Sequence, residues 1–88
     1  MRYELDFAPK ALKAWKKLDP ETREMFRSKL RERLDHPRVP KDAMHFMPNH
    51  YKIKLREKGY RLIYSVNDRE ILVLVVAVGR RDEIYDRV

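Results

Sequence analysis

The spacing of apolar residues changes from helical to alternating along this 88-residue chain, and that change limits the folds open to it. Between residues 8 and 34 they recur every three or four positions, which indicates amphipathic helices. From residue 51 onward they alternate with charged residues, which indicates strands. With a short alternating segment at residues 3–7, the pattern predicts an α+β fold. Two N-terminal helices pack on a small, mainly antiparallel four-stranded sheet in the order β-α-α-β-β-β, with a short C-terminal turn or helix.

Two helices are predicted in the first half of the chain. Pro9 suits the first turn of one helix, and we expect Trp15 on its apolar stripe to be a core residue. Asp19 and Pro20 suit the N-cap and first turn of a second helix, which should run to about Asp35 before His36-Pro37 stops it. The two stripes comprise Ala8, Ala11, Leu12, Trp15 and Leu18, and Met25, Phe26, Leu30 and Leu34.

Four strands are predicted. Residues 3–7 form a short strand that buries Tyr3, Leu5 and Phe7. After a long proline-containing connection over residues 36–50, strands follow at residues 51–56, 60–66 and 70–79. The last of these is apolar on both faces, so it should be central, and the N-terminal strand can pair on its far side. The predicted order is therefore second, third, fourth, first.

Composition narrows the classes of function. The net charge is +7 and the pI is near 9.9, which favours a polyanionic partner such as nucleic acid. Cysteine is absent, so no disulfide, zinc thiolate site or thiol nucleophile is possible. The longest apolar run is short and the N-terminus has no signal-peptide pattern. We therefore expect a single cytoplasmic domain over residues 1–88, with no membrane association.

The positive charges converge on one face of the predicted sheet. Alternation places Lys52, Lys54 and Arg56 together, and the turn near Lys58-Gly59 brings Arg61 beside them. A two-residue turn would set Arg61 opposite Arg56, whereas a four-residue loop would set it opposite Lys54. Either register keeps Arg61 on the lysine face. Arg80 and Arg81 follow the last strand directly, and Tyr85 lies four residues further on.

Other candidate residues have two interpretations each. Arg23, Arg27 and Arg31 repeat every four residues on the second helix, as either a solvated face or a stripe that follows RNA phosphates. His36 and His50 are expected to be structural or surface residues. His45, in the long connection, is a candidate for a role near the site.

Three segments together resemble the RelE toxins of bacterial toxin–antitoxin pairs. They are Tyr51-Lys52-Ile53-Lys54-Leu55-Arg56, Gly59-Tyr60-Arg61-Leu62-Ile63-Tyr64, and Val78-Gly79-Arg80-Arg81 with Tyr85. The start of the chain is also similar, with Leu5-Asp6-Phe7 followed by Ala11-Leu12-Lys13 and Trp15-Lys16-Lys17-Leu18. The resemblance covers essentially the whole chain and implies the RelE/ParE superfamily fold.

The resemblance implies a metal-independent endoribonuclease that cleaves mRNA in the ribosomal A site and inhibits translation. By family likeness, Lys52 and Lys54 have general-base and transition-state roles. Arg61 holds phosphate, Arg81 assists the leaving group, and Tyr85 stacks on or orients the nucleotide. Arg23, Arg27, Arg31, Arg56, Arg80 and His45 are candidate RNA contacts. No cofactor or metal is implied, and the implied partners are an acidic, RelB-like antitoxin and the ribosome with its mRNA and rRNA.

RNA carries its own nucleophile, the 2′-OH, so cleavage needs a base, a group that stabilises the phosphorane charge and an acid. The cationic segments supply lysine and arginine for these tasks, and no Ser/His/Asp arrangement or Gly-rich phosphate loop is visible. Two alternatives stay open at this point: a ParE-like inhibitor of DNA gyrase, and an RNA-binding module without chemistry.

Overall fold

The computed structural model describes residues 2–84, and its elements follow the predicted order. The helices are α1 (Pro9–Lys17) and α2 (Pro20–Asp35). The strands are β1 (Glu4–Phe7), β2 (His50–Leu55), β3 (Tyr60–Asn67) and β4 (Leu72–Arg80), and a 3-10 turn covers Pro40–Asp42. The α+β prediction is confirmed. In residues 2–84, no helix is both long and apolar enough to cross a lipid bilayer.

The start and end of α2 are set by local chemistry. The Asp19 carboxylate accepts a hydrogen bond from the Thr22 backbone amide at 3.2 Å, which satisfies one of the free amides of the first turn. Pro20 occupies the first turn, where its missing N–H is not needed. His36 closes the helix and Pro37 follows it. The predicted bounds of this helix are confirmed.

The sheet has the strand order β1-β4-β3-β2, as predicted. β1 pairs with β4 in parallel and the other two pairs are antiparallel, so the sheet is mixed. β4 begins at Leu72 rather than Glu70, because the turn before it is longer than expected and places Ile71 at a φ of 54°. The register between β3 and β4 shifts by one residue between Ile63 and Tyr64, at a β-bulge. Strand alternation places these two buried side chains on opposite faces of the sheet.

Both faces of the sheet carry apolar residues, but to different extents. The main core lies between the helices and the sheet and includes Trp15, Phe26, Leu30, Ile53 and Leu62. Trp15 is thus a core residue, as predicted. The opposite face has a smaller cluster. Its buried members are Ile63, Ala77 and Ile84, with Met44 packed against them.

Two residues predicted to be buried, one on the N-terminal strand and one on the stripe of α1, lie at the surface. Leu5 and Leu12 are each 37% exposed, so their predicted burial is wrong. Leu5 lies on β1, which is an edge strand and pairs with a neighbouring strand on one side only. Leu12 lies beside the stripe of α1, whose buried centre is Ala11 and Trp15.

Candidate functional site

Lysine and arginine side chains share the sheet surface that faces away from the helices. Lys54 is directly opposite Arg61 in the antiparallel pair of β2 and β3. The loop between these strands has four residues, so the second of the two possible registers is the one adopted. Cβ atoms of directly opposed residues lie about 5 Å apart. We call Lys52, Lys54, Arg61 and Arg81 the cationic face.

Arg81 is attached to this face through its backbone. Its amide donates a 2.8 Å hydrogen bond to the carbonyl oxygen of Gly59, in the loop between β2 and β3. A cleft of about 360 Å³ results, lined by Lys54, Leu55, Arg56, Gly59, Tyr60, Arg61 and Arg81. Residues distant in sequence thus surround one small polar cavity, which can receive a phosphodiester.

The concentration of positive charge perturbs Lys54. Its pKa lies below the ordinary lysine value, chiefly because of the Arg56 charge and then because of partial desolvation and Lys52. The negative charge of Asp42 raises the pKa of Lys54 and so offsets part of this lowering. Among residues 2–84, no carboxylate is within salt-bridge distance of Lys52, Lys54 or Arg81. The face is therefore suited to a multiply charged anion, and Lys54 is easier to deprotonate than a solvated lysine.

A buried polar network holds β2 in place behind this face. Arg33 on α2 forms a 2.7 Å ion pair with Asp42, and the two side chains are only 15% and 10% exposed. Arg33 also donates to the Tyr64 hydroxyl at 2.9 Å and to the Lys52 backbone carbonyl at 3.3 Å. Burial raises the pKa of Tyr64, whose hydroxyl donates to the Pro37 carbonyl at 2.6 Å. The network links α2, the 3-10 turn and the strand that carries both lysines.

The arginines of α2 lie elsewhere. Arg23, Arg27 and Arg31 belong to the helical layer, on the other side of the sheet from the cationic face. Arg27 forms a 2.7 Å ion pair with Glu24 and lies over the Trp15 ring at 5.8 Å. These contacts favour the interpretation of a solvated helix face for Arg27.

Arg56 and Arg80 lie at the margins of the cleft. Arg56 is the first residue after β2 and lines the cleft beside Lys54. Arg80 ends β4, lines a shallow depression next to Arg61 and has Asp82 4.0 Å away. The structure thus brings both predicted RNA contacts next to the cationic face.

The three histidines have separate environments. His36 is the C-cap of α2, and His50 donates through Nδ1 to the Pro48 carbonyl at 2.8 Å, which fits the expected structural roles. His45 is exposed at the tip of a turn and lines a small hollow with Lys52. Through this hollow, His45 is a neighbour of the cationic face.

Tyr85 lies outside the described residues. Within the described range 2–84, no group of three or more His, Asp or Glu side chains could hold a metal ion.

Sequence reasoning missed Arg33, Asp42 and Phe46. Arg33 lies three residues after Leu30 and seven after Phe26, so helical spacing already placed it at the edge of the buried stripe. Phe46 gave no periodic signal, because it lies in a turn, where a side chain's exposure depends on the fold alone.

Comparison with known proteins gives consistent matches. The family model described as the ParE toxin of the type II toxin–antitoxin system parDE matches residues 5–85. The mRNA interferase toxin RelE of Escherichia coli K12 is 47% identical over 87 residues, which cover 97% of this chain and 92% of that protein.

Solved structures agree with this result. A double arginine mutant of E. coli RelE in the free state superposes with a TM-score of 0.91 at 45% identity, covering 99% of this chain and 94% of that one. The toxin chain of the intact E. coli RelBE toxin–antitoxin complex gives 0.87 at 47% identity, covering 89% and 95%.

Proposed function

Because the chain belongs to the RelE family of type II toxin–antitoxin toxins, we propose that it is an mRNA interferase that cuts mRNA in the ribosomal A site. The toxin domain comprises residues 1–88. The class of reaction is proposed from a similar protein that is named mRNA interferase. The kind of partner is proposed from the RelBE complex.

The register of Lys54 against Arg61, with Arg81 tied to the loop between their strands, is the observation that carries the proposal. These three side chains and Arg56 make four cations around one cleft, which can surround a phosphodiester and stabilise the extra negative charge of the phosphorane. Guanidinium groups are suited to this task because they remain charged and present paired donors to phosphate oxygens.

We assign the proton transfers to the lysines. Lys54 has a lowered pKa, which increases its neutral fraction, so it is the better candidate to accept the 2′-OH proton. Lys52 lies two residues away on the same face and adds positive charge. As the 2′-oxygen bonds to phosphorus and the bond from phosphorus to the 5′-oxygen breaks, the protonated Lys54 returns its proton to the departing 5′-oxygen. Arg61 binds the phosphate, Arg81 assists the departing oxygen and Tyr85 contacts the nucleotide. No cofactor or metal takes part in this scheme.

This set of groups is weak in acid–base chemistry, since the cationic face contains no histidine or carboxylate. A site of this kind depends on how accurately the substrate is oriented, and orientation alone supplies several kcal/mol of barrier lowering. The ribosome holds an mRNA codon in a fixed geometry. The residues present favour dependence on the ribosome, and we propose that the protein acts in the cytoplasm, where ribosomes are.

An antitoxin is the partner of this toxin, as it is in the RelBE complexes. We propose that it is acidic and RelB-like, because the toxin carries a net charge of +7. An acidic segment that folds on binding could neutralise the cationic surface while wrapping a domain of this size.

The test is a cell-free translation reaction with the purified chain, followed by primer extension on the mRNA. We expect new 5′ ends at codon-defined positions that appear only when ribosomes are bound, and little cleavage of the same free RNA. An equal cleavage rate on free and ribosome-bound RNA would contradict ribosome dependence.

A gyrase supercoiling assay in parallel addresses the ParE alternative. Inhibition of gyrase without cleavage of mRNA would replace the proposed function. RNA binding with neither activity would leave only a binding module.

A further inference from the structure

We propose that Phe46 is a base-stacking residue that holds one nucleobase of the RNA beside the cationic face. This inference rests on the proposed function and adds a contact to the same substrate. Phe46 is 92% exposed, which makes it the most exposed large apolar residue among residues 2–84. A single exposed apolar side chain needs no explanation in itself. We infer a role for Phe46 because it lies beside the cationic face and because two turns hold the segment that carries it.

Two consecutive turns fix the segment that carries Phe46. The Met47 amide donates to the Met44 carbonyl at 3.4 Å, so His45 and Phe46 are the two central residues of the first turn. The His50 amide donates to the Met47 carbonyl at 3.1 Å, which closes a second turn through Pro48 and Asn49. Asn49 has a φ of 64°, the conformation that a type II turn requires at this position.

The base of the loop is attached to the sheet. The Met44 amide donates to the His50 carbonyl at 2.9 Å, and Ala43 forms a β-bridge with Tyr51. The Met44 side chain packs on the buried cluster of Ile63, Ala77 and Ile84. Met44 therefore points into the protein while Phe46, two residues later, projects into solvent from a fixed position.

The surroundings of Phe46 favour a nucleobase over other occupants. A hollow of about 250 Å³ is lined by Ala43, Met44, His45, Phe46 and Lys52. Lys52 belongs both to this hollow and to the cationic face, and Lys54 is about 7 Å further along the strand. A base that stacks on Phe46 thus has cations next to it for the adjoining phosphates, as in single-stranded nucleic-acid sites.

Three substitutions separate stacking from simple apolar contact. Phe46→Tyr keeps the aromatic face, Phe46→Leu keeps apolar area without it, and Phe46→Ala removes both. For cleavage of ribosome-bound mRNA, we expect a KM near the parent value for the Tyr variant and roughly tenfold higher for Leu and Ala, since stacking commonly contributes that much. The kcat should change less. Leu12→Ala is the matched control, because Leu12 is exposed on α1.

A second assay works independently of cleavage. Fluorescence anisotropy of a labelled single-stranded RNA measures the affinity of each variant for RNA. This measurement tests stacking even if the chain does not cleave mRNA. We expect the order parent, Tyr, then Leu and Ala. Equal RNA affinity and equal KM for all four chains would overturn the proposal. The proposal would also be overturned if the Leu variant had the RNA affinity and KM of the parent and the Ala variant were weakened only in antitoxin binding. That result would assign Phe46 to a protein partner.

Discussion

The Arg81 amide and the Gly59 carbonyl, 22 positions apart in the chain, are joined by a 2.8 Å hydrogen bond. Gly59 has a φ of 69° and closes the four-residue loop between β2 and β3. The contact fixes the start of the C-terminal segment against the hairpin that carries Lys54 and Arg61. The position of Arg81, for which we propose a role in cleavage, thus depends on the conformation of a glycine in another element.

Gly59→Ala is expected to lower the free energy of unfolding by about 1 kcal/mol, because an L side chain disfavours positive φ. The cost comes from the backbone alone, since a Cβ at this position would meet no atom within 4 Å. Gly59→Asn should lose less, because Asn tolerates this conformation. Urea unfolding of both variants measures the difference. Equal losses for Ala and Asn would show that the left-handed conformation is not the cause.

Arg61→Ala and Arg81→Ala should each lower kcat for mRNA cleavage by about 10²–10³-fold, the usual effect of removing one donor to transition-state charge. Growth inhibition should disappear at equal expression. Arg69→Ala, in the exposed turn before β4, is the matched control and should remain toxic. Circular dichroism verifies the fold of each variant. A folded, fully toxic Arg61 or Arg81 variant would remove that residue from the mechanism.

Arg56→Gln is expected to raise the pKa of Lys54, because the Arg56 charge is the largest cause of its lowering. The neutral fraction of Lys54 at a given pH then falls, and the rising limb of the pH–rate profile moves to higher pH. NMR titration of the Lys54 side chain measures the pKa directly, with Arg69→Gln as control. An unchanged Lys54 pKa in Arg56→Gln would contradict the assigned cause.

The same shift has a consequence for stability. Because the folded pKa of Lys54 lies below its unfolded value, the protonated lysine opposes folding at lower pH. That opposition is relieved as pH rises from the folded toward the unfolded pKa. Stability in the parent chain should therefore rise slightly in this range, and less so in Arg56→Gln.

Most of the fold could be predicted because its signals are local. Asp19-Pro20 starts α2 through a cap and a fixed φ, and the apolar run of β4 indicates a central strand. Alternation in the sequence predicts which face of the sheet Arg61 occupies, but it does not predict which residue of β2 lies opposite Arg61. The length of the loop at Gly59 decides whether Arg61 faces Arg56 or Lys54, and turn length has only a weak signal in sequence.

Long-range polar contacts were beyond sequence reasoning. Arg33 is one arginine among several on α2, and only the folded chain shows that it reaches Asp42 and the Lys52 carbonyl. Leu12 and Leu5 look buried by periodicity, yet their exposure depends on how far neighbouring elements extend over them. Such contacts depend on how the elements pack in three dimensions, and the spacing of apolar residues along the sequence does not predict that packing.

Asp42→Leu should lower the free energy of unfolding by about 3–5 kcal/mol, since it leaves the largely buried Arg33 without its counter-charge. Combining Asp42→Leu with Arg33→Met removes both charges and should restore most of the loss. Urea unfolding of the single and double variants gives the coupling between the two sites. If the double variant were as unstable as the sum of the two singles, the ion pair would not be the source of the effect.

We expect the antitoxin to release the C-terminal segment of the toxin from the sheet. Ile84 is fully buried and packs on Ile63 and Ala77, on the same side of the sheet as the cationic face. Exposing such a side chain costs about 1.5–3 kcal/mol, so a partner that displaces it must put an apolar side chain in its place. Displacement would move Arg81 and silence the site, whereas Lys52 and Lys54 would stay on β2.

Amide hydrogen exchange on the free and antitoxin-bound chain tests this idea. We expect residues 82–84 to change protection on binding while residues 71–78 stay protected in both states. Ile84→Ala should weaken the docking of the segment and make the antitoxin bind more tightly, because less packing has to be displaced. Ile63→Val keeps the cluster apolar and serves as the control. Unchanged protection of residues 82–84 on binding, with equal antitoxin affinity for Ile84→Ala and the parent, would contradict displacement and leave direct coverage of the cationic face as the means of inhibition.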